Sequence, residues 1–176
     1  MDSRLEKQFN QFQSSLQSLL SDLDGLSDET LNKQPQKGKW SAIQGMYHSM
    51  FVEQSSLGYI KKKLSQLGEV KYEKSGVVEM AKSIALIGFL RSPIKVKAPK
   101  IVEDVPDSMP YEELKTQWME VRKEMKDVFE SFPKEALNLN IYKHPLAGRM
   151  SIFQAMNFLQ AHYDRHHKQI LQAVNK

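Results

Sequence analysis

Two histidines four residues apart, His162 and His166, stand on the inner stripe of a helical stretch, where a packed helix ordinarily carries leucine. The stretch runs from Ser151 to Val174 with a capping serine in front, no internal Gly or Pro, and apolar residues at helical spacing. Its stripe reads Ile152, Ala155, Leu159, His162, His166, Ile170 and Ala173. Four-residue spacing puts the imidazoles about 40° apart around the axis and about 6 Å along it, so the two can converge on one point. Each buried polar group left unsatisfied costs about 1–3 kcal/mol, so the pair needs a partner. A third histidine, His48, is remote in sequence but also lies on a strongly apolar segment. Three neutral imidazoles offer a divalent ion such as zinc three nitrogens at about 2.0–2.1 Å, with positions left open for water or substrate. That is a catalytic stoichiometry. The competing reading is of three core or boundary histidines held by hydrogen bonds. His167, about 100° around the helix from His166, points to solvent or a loop on either reading.

Four long helices must position these side chains. Leu5, Phe9, Phe12, Leu16, Leu19, Leu23 and Leu26 step by four and three, which predicts an amphipathic helix over residues 3–24 that stops at Gly25. Residues 27–32 add a turn, and Gln34 to Lys39 form a loop. Ser41 caps a second long helix running to about Leu67, whose apolar residues cover more than one stripe and so predict burial on two sides. A shorter helix spans Val77 to Leu90, with Val77, Met80, Ala81, Ile84 and Ile87 on one side. From Ile94 to Pro110 the chain is rich in Pro and Lys and reads as a long crossover loop. Tyr111, Leu114, Trp118, Val121, Met125, Val128 and Phe132 then repeat three and four up to Pro133. A loop from Asn138 to Met150 leads into the last helix. No segment reads as a strand, so the fold class is all-α, a four-helix bundle with one long crossover connection, and residues 1–176 form one domain.

Composition narrows the chemistry. The 176 residues, 40% of them hydrophobic, suffice for one packed core, and the lack of Cys excludes a disulfide framework, a thiolate zinc site and a cysteine nucleophile. Without cysteine, an apolar leader or a span-length apolar run, a cytoplasmic location is expected, with no membrane partner. The net charge of +4 is spread along the chain. Its local clusters, Lys61 to Lys63 and the series Lys95, Lys97, Lys100, lack the interleaved aromatics of a nucleic-acid surface, which argues against that partner.

Trp40-Ser41-Ala42-Ile43-Gln44-Gly45-Met46-Tyr47-His48, the loop His144-Pro145-Leu146-Ala147-Gly148-Arg149-Met150-Ser151 and the run from Ala161 to Ile170 together resemble the DinB-like superfamily, and the order and length of the helices match as well. The resemblance covers nearly the whole chain and is most specific in the closing helix. It implies a four-helix bundle and a divalent metal, zinc or nickel, on one histidine of the second long helix and two of the last. Those positions fall on His48, His162 and His166. It further implies a homodimer and, in some members, transfer of a low-molecular-weight thiol such as bacillithiol, mycothiol or glutathione; other members are described as hydrolases.

An open tri-histidine site can bring a bound water towards neutral pKa or hold a thiol as thiolate, so no cysteine is needed for a nucleophile. Tyr163, not Glu, follows His162, so the motif supplies no general base and no catalytic residue is assigned. Gln44 and Glu53, beside His48 on the same helix, are candidates to line the pocket or orient a ligand; Glu53, about 140° around from His48, also suits a solvated position. His144 can lean over the mouth of the site or cap a turn. Trp40 and Trp118 read as core or boundary aromatics, with a substrate wall as the alternative. Two functions follow. One is a metal-dependent enzyme acting on a small molecule, as thiol transferase or hydrolase; the other is a non-catalytic bundle that binds a small ligand or partner, with a structural metal or none.

Overall fold

A computed structural model describes residues 1–94 and 105–175. Helices α1 (Ser3–Leu23), α3 (Ala42–Leu64), α5 (Tyr111–Glu130) and α6 (Ile152–Val174) form the bundle, with the one-turn α2 (Asp28–Asn32) and the shorter α4 (Val77–Arg91) packed around it. Two-thirds of the protein is helical, as the all-α expectation requires. The seam of α1 is buried from Leu5 through Leu23. Leu26, expected on that seam, is more than a third exposed, because the helix ends before it and Gly25 turns the chain with φ of 76°. On α3 the buried positions run almost all the way round, since it packs against α5 on one side and α6 on the other. Of the expected crossover loop, residues 95–104, including Lys95, Lys97 and Lys100, lie outside the described residues.

Two features depart from the sequence reading. The loop before α6 contains a small antiparallel hairpin, β1 (Tyr142–His144) with β2 (Gly148–Met150), in which Tyr142 pairs with Met150 and His144 with Gly148. Strands of three residues are too short to show an alternating pattern. The second departure is the facing of α4. Val77, Met80 and Ile84 stand in solvent, and the helix buries Ser83 and Leu86 instead. Because α4 is apolar on nearly every side, its stripe does not choose its inward face; the bonds at its ends do. Ahead of it, the Ser75 N–H donates to Asn138 O and its hydroxyl to Gln154 Oε1, each at 2.8 Å. At its C-terminus the Arg165 guanidinium donates to Leu90 O at 3.1 Å, Ser92 O at 3.2 Å and Ile94 O at 2.6 Å.

The middle of the bundle holds a charge pair. Glu53, 2% exposed, accepts from Arg122 Nε at 2.6 Å and Arg122 NH2 at 2.9 Å and from Trp118 Nε1 at 2.8 Å. Arg122 NH1 donates to Phe12 O at 2.6 Å, and the guanidinium lies 3.4 Å from the Phe12 ring centroid. Both Glu53 oxygens and three guanidinium nitrogens of Arg122 are thus engaged within the core, and α1, α3 and α5 are tied at one level. Removing one partner of such a buried pair leaves an uncompensated charge and costs about 3–5 kcal/mol. Glu53→Ala is therefore expected to lose about that much stability in urea unfolding, and Glu53→Leu/Arg122→Met to recover most of it.

Candidate metal centre

The three histidines predicted from spacing meet between α3 and α6. One ring nitrogen from each of His48, His162 and His166 lies within 4.8 Å of the other two. His48 Nε2 and His162 Nε2 are 3.3 Å apart, and ring centroids are 4.5 Å apart for both His48–His166 and His162–His166. His48 and His166 are buried and His162 is half-buried.

Both contributing helices are started by the same local device. In α3 the Ser41 hydroxyl accepts from Gln44 N at 3.2 Å while Gln44 Oε1 accepts from Ser41 N at 3.1 Å; in α6 Ser151 and Gln154 repeat the arrangement at 3.4 and 2.8 Å. These boxes fix where each helix begins and hence which side His48 and His162 take. Rotation of α6 is fixed further by Tyr163, whose hydroxyl donates to Ser15 O at 2.6 Å on α1. With Tyr163 turned to α1, its neighbour His162 faces α3. His167 also turns to α1, with Nε2 3.8 Å from Asp22 Oδ2, and so stays out of the cluster.

The helices can come this close because position 45 carries no side chain. A Cβ built on Gly45 would lie 2.9 Å from Ile170 Cγ1. Gly45 sits one turn before His48, and Ile170 one turn after His166, so the contact sets the helix separation at the level of the triad.

Burial keeps His162 and His166 neutral. Burial, then the neighbouring His166 and His48 and the Arg165 cation, holds His162 far below the usual histidine range. His166 is pushed down to about 3, again by burial first and then by His48 and Arg165. Among the described residues, the buried His166 Nδ1 has no hydrogen-bond partner. Neutral rings with lone pairs turned to one point are what a divalent cation requires. The 3.3 Å between the His48 and His162 nitrogens lies at the edge of the range for an N–H donor, about 2.7–3.2 Å. It equals the span of two ligands at about 2.0–2.1 Å on one tetrahedral ion, about 3.3–3.4 Å. The residues present therefore fit a metal ion.

Trp40 flanks the cluster, with its ring centroid 4.8 Å from that of His48 and 6.2 Å from that of His166. It is half-buried, whereas Trp118 is wholly buried on Glu53. The other predicted site residues divide. Gln44 has both ends of its amide engaged, Oε1 in the capping box and Nε2 on Pro106 O at 3.2 Å. Glu53 is neither solvated nor lining the site but belongs to the Arg122 pair. His144, on β1, packs edge-on against Phe158 with centroids 4.5 Å apart, and Phe158 in turn lies 5.8 Å from His162. Sequence reasoning passed over Gly45 and Arg165; the one signal for either was its place a single turn from a predicted ligand.

A helical bundle with three histidines converging from its second and last long helices defines the class. Over residues 8–170 the chain matches the DinB superfamily, and it belongs to that family. It is similar to the uncharacterized protein YuaE of Bacillus subtilis (strain 168), 23% identical over 155 residues that cover 88% of this chain and 90% of that one. No solved structure matches.

Two outcomes follow. Gly45→Ala is expected to cost about 1–3 kcal/mol by overpacking against Ile170. In urea melts with chelator present, adding Ile170→Ala should be less damaging than the sum of the two single changes, as coupled neighbours require. The second concerns pH. A histidine whose folded pKa is depressed lets the unfolded chain bind the extra proton, so stability is full above about pH 6.5 and falls as pH drops towards the folded value. The melting temperature of chelator-treated protein should be level above pH 6.5 and decline steadily to pH 4, the window set by His166 at about 3 and His144 at about 4.

Proposed function

We propose that the protein is a metal-dependent enzyme acting on a small molecule, with one divalent ion, zinc or nickel, held by His48, His162 and His166. The observation that carries this reading is the convergence of three imidazoles, with one nitrogen of each within 4.8 Å of the other two. An ion on such a donor set supplies a nucleophile at neutral pH from water or a thiol. The chain's own part is to hold His162 and His166 neutral by burial and to wall the site with Trp40 and Phe158. Transfer of a low-molecular-weight thiol, or hydrolysis, is the reaction class consistent with a chain that has no cysteine of its own. A homodimer belongs to the same proposal; its support is the apolar outer face of α4, where Val77, Met80 and Ile84 share one exposed side. No helix among the described residues is long and apolar enough to cross a membrane.

Elemental analysis of protein purified without a metal-affinity step tests the reading. Wild type should carry close to one ion per chain and His162→Ala almost none, with helix content retained by circular dichroism. A content near zero that added zinc or nickel does not raise would overturn it. Metal at full stoichiometry without turnover of any thiol-transfer or hydrolase substrate would leave the non-catalytic bundle.

A further inference from the structure

At the C-terminal end of α3, away from the triad, a cavity of about 350 Å³ opens between the last turn of the helix, the segment after it and the hairpin. Its lining is Lys63, Val70, Lys71, Tyr72, Glu73 and Arg149. At 1.5 Å per residue His48 lies about 22 Å before Lys63 along the helix. Gln44, which holds one described end of the crossover through Pro106 O, lies about 28 Å before it. The cavity is therefore separate from the histidine cluster, and its volume is in the range that takes a small molecule. Its walls are joined by backbone: the Asn140 N–H, just ahead of the hairpin, donates to Glu73 O at 2.8 Å.

Two observations set the charge of this place. Lys63 is half-buried, its Nζ donating to Gln66 Oε1 at 3.0 Å and lying 5.6 and 6.0 Å from the ring centroids of Tyr59 and Tyr72. The Tyr72 hydroxyl donates to the same Gln66 oxygen at 3.2 Å, so ammonium and phenol are fixed side by side. The carbonyl end of α3 favours a cation at position 63, but it gives no reason for a second one arriving from the hairpin. There the register sets Arg149 directly opposite Lys143, both exposed, and like charges paired across a ladder repel. The ion pairs formed among the described residues include none of Lys63, Lys71, Lys143, Arg149 and Glu73. The lining itself carries three cations and one carboxylate, a net of two positive charges.

We propose that this cavity binds a small organic phosphate, with Arg149, Lys63 and Lys71 on the phosphoryl oxygens and the organic part against Val70 and the Tyr72 ring. A phosphomonoester carries close to two negative charges at neutral pH and three strong acceptor oxygens. A guanidinium fork with two ammonium groups is the matching donor set, and the net charge of the lining balances the dianion. Val70, 45% exposed, offers the apolar contact. The proposal stands apart from the metal-site reading and does not depend on it.

Phenyl phosphate, inorganic phosphate and phenol, each titrated into the isotope-labelled full chain at fixed ionic strength, test this through amide chemical shifts. Chelator is present throughout, so that no metal at the triad can take the anion. The expected result is saturable binding of phenyl phosphate with a Kd of about 1 mM or below, shifts gathered at residues 70–73 and 148–149, weaker binding of inorganic phosphate and none of phenol. Arg149→Gln should raise the phenyl phosphate Kd about tenfold or more, the loss of a forked charge-assisted contact, and Lys63→Gln should do likewise. Lys61→Gln, whose partner is Glu124 outside the cavity, should stay within about twofold. Without ligand at low salt, Arg149→Gln should melt no lower than wild type, because it removes a repulsion from Lys143 and breaks no ion pair. Equal Kd values in Arg149→Gln, Lys61→Gln and wild type would overturn the proposal, as would shifts spread over every lysine-bearing surface or no saturation with phenyl phosphate. Inorganic phosphate bound as tightly as phenyl phosphate would overturn the part given to Val70 and Tyr72.

Discussion

The close approach of α3 and α6 at Gly45 is the constraint from which the site follows. Helices in bundles commonly lie 8–10 Å apart, with the separation set by the side chains at the contact. Here one side of the contact is a hydrogen, and the opposing group is a β-branched Ile170 that sits against bare backbone. The imidazoles of His48 and His166, one turn from this contact on either helix, are thereby brought to 4.5 Å between centroids. Any larger residue at 45 acts as a spacer between the two halves of the triad.

Around that contact the buried ion pair and the histidine triad lie on different sides of α3. The ionised groups of the core, Glu53 and Arg122, satisfy one another together with Trp118 and the Phe12 carbonyl, and they lie on the α5 side of α3. The imidazoles of the triad occupy the α6 side. Tyr163 stands between the two regions, its ring 5.8 Å from the Arg122 guanidinium and its hydroxyl on Ser15. Burial raises its pKa, so it remains a neutral phenol and a donor only to that carbonyl. Arg122 holds both Glu53 oxygens, so this carboxylate is engaged on the far side of α3 from the triad.

The sequence made the seams of α1 and α5 and the convergence of the histidines readable, because each depends on spacing along one helix and on the sidedness of a bundle. Glu53 was misplaced for an instructive reason. Its angle from His48 correctly turned it away from the histidine triad, but the far side of α3 is covered by α5, not by water, and the partner that makes burial tolerable, Arg122, looks from its own helix like any surface cation. It lies four residues after Trp118 and so on the buried stripe, which was the available signal. The facing of α4 was illegible for the opposite cause: with apolar residues on nearly every side, periodicity carries no preference, and the deciding bonds come from Arg165 and Gln154 on another helix. The hairpin that orients His144 rests on three-residue strands and a glycine at φ of 78°, a pattern below the length at which alternation can be recognised.

The paired serine–glutamine boxes give each half of the triad its own ruler. His48 is measured from Ser41 and His162 from Ser151 along continuous helix, so neither distance depends on how the chain travels between them. Loops ahead of these serines can lengthen or shorten over generations without moving an imidazole. A single residue gained or lost inside either interval would swing the histidine beyond it by about 100° and leave the other two facing an empty corner.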